Sequence, residues 1–338
     1  MKKQFLLTVG AMALVAVTSS RGEDLALDGF QPPLRHTWDQ PRSGVDNARV
    51  VLGKALYFDK RLSKDNSLSC NSCHDLKRFG VDGRGFSLGF ENHEVGRNSP
   101  TVFNAFGHIT QFWDGRAPTV EEQAKGPILA AGEMAMPSPE AVVKKLKGIP
   151  GYKPMFEAAF PGDKDPVNYD NVGTAIGAFE RLLVTPSRWD SFLSGAEKAL
   201  SPLEQQGVKA FTSYGCTTCH TGTLLGGDRY MKAGLVKPWP NQKDLGRFGV
   251  TGNEADKLVF KVPSLRNIEK TGPYFHDASE TTLDGAIRKM GRHQLGVEIP
   301  KKDVAAIKAF LQTLTADIPA ELAATPEMPG AVVSKSFD

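Results

Sequence analysis

Basic runs interleaved with aromatics are missing from this chain of 338 residues, and its net charge is only +3. Nucleic acid is therefore set aside as a partner. Beyond the N-terminus, no apolar stretch reaches the roughly 20 residues needed to span a bilayer. Alternating strand patterns are few, so the chain is expected to be mainly α. Cysteine is scarce as well, with four residues in all. The hydrophobic share of 40% and the charged share of 23% are ordinary for a globular protein. The length allows two small domains, each with its own core.

The N-terminus reads as an export signal over residues 1–22. Lys2 and Lys3 form a positive start, Phe5 to Val17 is mostly apolar, and Thr18, Ser19 and Ser20 are small residues near a cleavage point. The apolar run is too short for a membrane anchor, so no membrane span is expected once the signal is removed.

All four cysteines fall in two CxxCH motifs, Cys70-Asn71-Ser72-Cys73-His74 and Cys216-Thr217-Thr218-Cys219-His220. Four cysteines in an exported chain also fit two disulfides, and a lone CxxC fits a redox dithiol. The histidine after each second cysteine favours covalent attachment of c-type haem. Two thiols on one turn can each bond a vinyl group, and the adjacent histidine then serves as proximal iron ligand.

Local signals place these motifs behind helices. One is expected to start at Asp46, with Val50, Val51, Ala55 and Leu56 on its buried side. Another starts at Ser201-Pro202-Leu203-Glu204, where an N-cap serine, a proline at the first helical position and glutamate at N3 coincide. Glu140 to Lys147, Asn171 to Val184, and a stretch carrying Val304, Ile307, Phe310, Leu311 and Leu314 also show helical periodicity. Residues 23–44 read as an irregular arm and the tail from Pro319 as less defined.

A repeat extends beyond the motifs. Pro100-Thr101-Val102-Phe103-Asn104 matches Pro263-Ser264-Leu265-Arg266-Asn267. In the same register Phe112-Trp113-Asp114 falls on Phe275-His276-Asp277, Thr119 on Thr282, and Pro127 on Met290. Met290 is therefore a candidate sixth ligand for the second iron, where His/Met ligation raises the potential; core packing is the alternative. Proline cannot ligate iron, which leaves the first haem without an equivalent ligand and able to bind peroxide. Gln123 and Glu133 lie nearby. A carboxylate can carry the proton that O–O cleavage requires and an amide can orient the substrate; both could equally be ordinary surface residues.

These residues resemble the bacterial di-haem cytochrome c peroxidases over nearly all the mature length. The resemblance is carried by the CxxCH motifs, Gly96 to Thr101, Gln111 to Ala117, Glu122-Gln123-Ala124, Thr271 to Asp277 and Met290-Gly291. It implies two cytochrome c-like haem domains in tandem: residues 23–180 with the low-potential peroxidatic haem on His74, and residues 181–338 with the high-potential haem on His220 and Met290. It places Trp113 between the haems, in electron transfer or packing. Gln123 and Glu133 match the family's distal pair. Asn98, Thr271 and Pro273 match its calcium site, an oxygen-rich donor set suited to that ion. His276 matches a histidine needed for activity, with a structural role as the alternative.

One departure stands out. The family's removable distal histidine follows a Ser-x-Gly, here Ser87-Leu88-Gly89, and Phe90 occupies its place. His93, in the Gly-rich loop 83–96, is the favoured replacement, His108 a weaker one, and a haem already open at rest the alternative. The resulting expectation is a periplasmic enzyme that reduces hydrogen peroxide to water with electrons from a small cytochrome c or similar donor. It would use two covalent haems and one calcium ion; a homodimer rests on the resemblance alone. A pure electron-transfer protein would need a blocked first haem. A related oxidase that matures a protein-derived cofactor would carry tyrosine where Met290 lies.

Overall fold

The computed structural model describes residues 25–32 and 44–330. The signal reading over residues 1–22 and most of the arm lie outside these. The longer helices are α1 (Gly44–Phe58), α2 (Val120–Leu129), α3 (Pro139–Lys147), α4 (Tyr152–Ala159), α5 (Tyr169–Glu180), α6 (Pro202–Ser213), α7 (Leu283–Met290) and α8 (Lys301–Gln312). The one sheet among the described residues is a short antiparallel pair, β1 (Tyr230–Lys232) and β2 (Val259–Lys261), with Tyr230 opposite Lys261. None of the described helices is long and apolar enough to cross a membrane. The fold is mainly α, as expected.

Helix starts follow the sequence closely. Ser201 and Glu204 form the capping box of α6, with Pro202 at its first turn, and Val208 and Phe211 are buried. α5 begins at Tyr169 and stops at Glu180, short of Val184. In α1 the buried stripe is Leu52, Ala55 and Leu56, whereas Val51 is 60% exposed. Val51 falls off the i, i+3, i+4 stripe that meets α5, which corrects the expectation that it is buried.

The core divides into two clusters. The first draws on α1 to α5, between Leu52 and Leu183. The second draws on α6 to α8, between Trp189 and Leu314. In each, the helix before the haem motif crosses a partner at close quarters over a glycine. A Cβ on Gly53 would lie 1.8 Å from the Ala175 carbonyl, and one on Gly207 2.0 Å from the Ala306 carbonyl. The ends of the described chain cross over. Phe30 packs in the second cluster, 5.1 Å from Trp189 between ring centroids. Ala323, with Ile318, Leu322 and Met328, packs in the first.

The repeat is also a repeat of backbone. Asn104 and Asn267 both adopt left-handed conformations and open short 3-10 turns. Phe112 and Phe275 share a positive φ, 66° and 72°. The bridge Gln111–Ala117 has its counterpart in Tyr274–Glu280. Thr119 caps α2 and Thr282 caps α7 through their side chains.

Candidate haem sites and the cavity at the second motif

Ser69 opens the short helix Cys70–Cys73, its N–H donating to the Ser72 hydroxyl at 3.0 Å. His74 closes that turn, its N–H on the Cys70 carbonyl at 3.0 Å. The His74 ring sets Nδ1 3.3 Å from the Gly80 carbonyl, which fixes the ring and leaves Nε2 for a metal. The Tyr57 hydroxyl donates to the His74 carbonyl at 2.7 Å. Burial holds the imidazole pKa below its usual value, favouring the neutral form that ligates iron.

The second motif repeats this arrangement. Gly215, at φ 83°, leads from α6 into the turn Cys216–Thr218, and the His220 N–H bonds the Cys216 carbonyl at 3.0 Å. His220 Nδ1 lies 3.0 Å from the Leu225 carbonyl, which again leaves Nε2 for a metal. None of the four cysteines is in a disulfide. Burial pushes the Cys73 thiol up to about 11 and Cys216 up to about 12, and it raises Cys70 and Cys219 as well. A redox dithiol needs a depressed thiol pKa, so the arrangement fits thioether attachment.

Cys216, Cys219, His220 and Met290 line one mainly apolar cavity of about 330 Å³, within the range of cofactor pockets. Met290 is the last residue of α7, and the chain then continues as a π-helix, Gly291–Leu295. Such π turns are rare and favour functional sites. At the equivalent place Pro127 sits inside α2. A thioether, a histidine ring and two cysteines on the wall of one cavity suit a c-type haem on donor chemistry alone.

The first half holds the distal candidates. Glu133 is half-buried, and burial raises its pKa against a smaller opposing effect of Arg116. Its charge acts on both Cys70 and Cys73, which places it on the side of the first motif. Gln123 lies half-buried on α2. His93 is exposed and packs on Gly132, where an added Cβ would fall 2.5 Å from its Cδ2. The loop that carries it is pinned by Gly89 N–H to the His93 carbonyl at 2.8 Å and Phe90 N–H to the Glu133 carbonyl at 2.7 Å. Its left-handed residues are Glu91 and Asn92 as well as Gly83. His108 lies elsewhere, half-buried on the wall of the cavity that carries Cys216 and His220.

Trp113, His276, Asn98, Thr271 and Pro273 share that cavity wall. Trp113 Nε1 donates to the Asn98 carbonyl at 2.9 Å, and its ring meets His276 edge-on at 6.1 Å. His276 stacks on Phe260 at 4.0 Å, and its Nε2 is buried without a partner. The Asn98 amide N donates to the carbonyls of Arg84 and Gly85, at 3.0 and 3.2 Å, which leaves Oδ1 as acceptor. No cluster of three acidic, histidine or cysteine ligands occurs among the described residues. A cation at Asn98, Thr271 and Pro273 would therefore rest on amide and carbonyl oxygens.

Two features escaped the sequence. Arg97 clamps Asp114 and Asp244 at 2.6 Å each, and the pair with Asp244 crosses the halves. Lys261 is buried against His108; a lysine inside the apolar run Leu258-Val259-Phe260-Lys261-Val262 was the available signal.

The chain is similar to known proteins over most of its length. A family model described as di-haem cytochrome c peroxidase matches residues 47–198. The cytochrome c551 peroxidase of Nitrosomonas europaea is 43% identical, over 94% of this chain and 93% of its own. That of Pseudomonas aeruginosa is 40% identical, over 94% of each. Among solved structures, a MauG-like protein associated with microbial copper homeostasis superposes with a TM-score of 0.73 at 30% identity, covering 85% of this chain and 95% of its own.

Proposed function

The chain belongs to the di-haem cytochrome c peroxidase family, and from that premise we propose how its residues divide the reaction. It is a cytochrome c peroxidase with two haems, and it takes hydrogen peroxide as substrate and a cytochrome as electron donor. When bound, the haems supply the irons that bind peroxide and carry the electrons.

Cys70, Cys73 and His74 hold the peroxidatic haem in the N-terminal part, residues 23–180. Cys216, Cys219, His220 and Met290 hold the electron-entry haem in the C-terminal part, residues 181–338. The carrying observation is the inequality of the repeat: Met290 lines its cavity with His220, whereas the equivalent Pro127 has no donor atom. Glu133 accepts a proton from peroxide and returns it to the leaving oxygen. A carboxyl with a raised pKa suits both directions. Gln123 orients the substrate through its amide. Trp113 spans the gap between the halves, and His276 supports its ring. His93, on the loop against Gly132, would cap the peroxidatic iron at rest and would be released when the other haem is reduced. Asn98, Thr271 and Pro273 hold calcium at the seam. The protein works in the periplasm, for which the export-signal reading of residues 1–22 is the support. The test is steady-state peroxide turnover with a reduced small c-type cytochrome, before and after prereduction. Turnover that rises on prereduction is the expected result; no peroxide-dependent oxidation of the donor in either state would refute the reading.

A further inference from the structure

Lys261 is 7% exposed, and among the described residues no carboxylate pairs with its ammonium. Its side chain meets His108 Nδ1 at 3.0 Å. A buried ammonium without an anion is strongly disfavoured. Burial alone pushes Lys261 down to about 8, with no acidic neighbour acting to raise it. His108 is in a similar condition, with Nε2 buried and lacking a partner.

Both residues lie on the wall of the cavity that carries Cys216, Cys219, His220 and Met290. That wall includes Lys232 and Lys261 but no aspartate or glutamate. A c-type haem brings two propionates, the only carboxylates such a site would then contain. We propose that the Lys261 ammonium, braced by His108, anchors a propionate of the haem held by Cys216 and Cys219 and raises that haem's potential. This rests on the reading of the second motif as a haem site.

The chemistry is complete at the level of donors. An ammonium has three N–H groups, and one is spent on His108 Nδ1, leaving two for a carboxylate. With Nδ1 accepting, His108 carries its own proton on Nε2, a further donor at the same wall. A fixed positive charge beside the haem favours the reduced state, whose iron carries one positive charge fewer. The anchor also joins the halves. His108 comes from the first, and the Lys261 backbone N–H donates to the Trp113 carbonyl at 2.8 Å.

The experiment compares holoprotein of the parent, Lys261→Met and Lys261→Arg. Haem count per chain comes from intact mass, and each haem's midpoint potential from spectroelectrochemical titration. The charge-transfer band of methionine-ligated ferric haem reports Met290, and the propionate bending bands in resonance Raman report the anchor. Lys261→Met should lower the second haem's potential well beyond any change at the first and shift a propionate band, with the Met290 signature retained. Lys261→Arg should stay near the parent. If Lys261→Met fails to keep the second haem, retention by Lys261→Arg supports the charge partnership. Loss from both, with the first haem intact, overturns it. An unchanged second potential and unchanged propionate bands in a fully loaded Lys261→Met also overturn it. A parent chain without a second covalent haem would instead refute the haem-site reading, a separate result.

Discussion

Asn104 and Asn267, equivalent residues of the two halves, donate side-chain N–H groups to one shared acceptor, the Thr185 hydroxyl, at 2.7 and 2.9 Å. Their backbones mirror each other too: the Asn104 N–H bonds the Leu183 carbonyl at 2.6 Å and the Asn267 N–H the Leu314 carbonyl at 3.1 Å. Thr185 falls in the chain between Leu183 of the first hydrophobic cluster and Trp189 of the second, so a single hydroxyl links equivalent asparagines of the two halves.

Thr185→Val keeps shape and removes that acceptor. Each buried amide left without a partner costs about 1–3 kcal/mol. Denaturant unfolding should show a loss in that range for one or both amides, while Thr185→Ser stays close to the parent. Equal stability of the valine and serine variants would show that the hydroxyl joins nothing of consequence.

Glu133→Gln should slow peroxide turnover at least tenfold, a floor set below the roughly 100- to 10,000-fold contribution of general acid–base groups. Haem content and both potentials should stay near those of the parent. Gln123→Ala should have the smaller effect, since an orienting amide carries no proton. The pH profile gives a second reading. Burial raises the Glu133 pKa, so its basic form is lost as pH falls through a value above the ordinary glutamate pKa of about 4.3. The parent's acid limb should lie above that value and disappear in Glu133→Gln. Parent-like turnover in Glu133→Gln would move the role to Glu121 or Glu122.

Met290→His replaces a thioether with an imidazole and should lower the second haem's potential, because His/Met ligation is the high-potential arrangement. Electron entry from the donor should weaken with it. A redox titration that finds the second potential unmoved would remove Met290 from the ligand set.

His93→Ala should be active without prereduction if His93 caps the peroxidatic iron. Gly132→Ala should act in the same direction, since its methyl would displace the His93 ring. Persistence of a six-coordinate, low-spin ferric spectrum in His93→Ala, together with a continued need for prereduction, would assign the cap to another residue.

The sequence spoke most clearly where chemistry is local. CxxCH, the Ser201–Glu204 capping box and the matched Asn104 and Asn267 each act through bonds within a few residues or through a backbone conformation that few residue types adopt. They appear in the fold as expected. Contacts between distant segments left weaker marks. Lys261 gives little hint of His108 in linear spacing, and Val51 looks as apolar as its buried neighbours until the crossing with α5 fixes the stripe. The π turn after Met290 likewise depends on packing: a Cβ on Gly291 would fall 2.8 Å from the Ile299 side chain. Of the candidate peroxidatic site, the sequence offered residue types, but the position of His93 against Gly132 depends on the loop 83–96 meeting the segment after α2.

The crossed ends bear on the order of assembly. A ribosome completes the first haem motif early, yet that half closes its core with Ala323 and its neighbours, synthesised far later. Arg61 reaches the Pro329 carbonyl at 2.9 Å, and Lys54 the Glu321 carbonyl, so the late segment is fastened to α1 and the turn after it by hydrogen bonds as well as by packing. Phe30 meanwhile waits for Trp189, Phe211 and Phe310 to arrive before it has anything to pack on. The half made first is thus the half finished last, and severing the chain near residue 185 would give two fragments that each retain the other's closing piece.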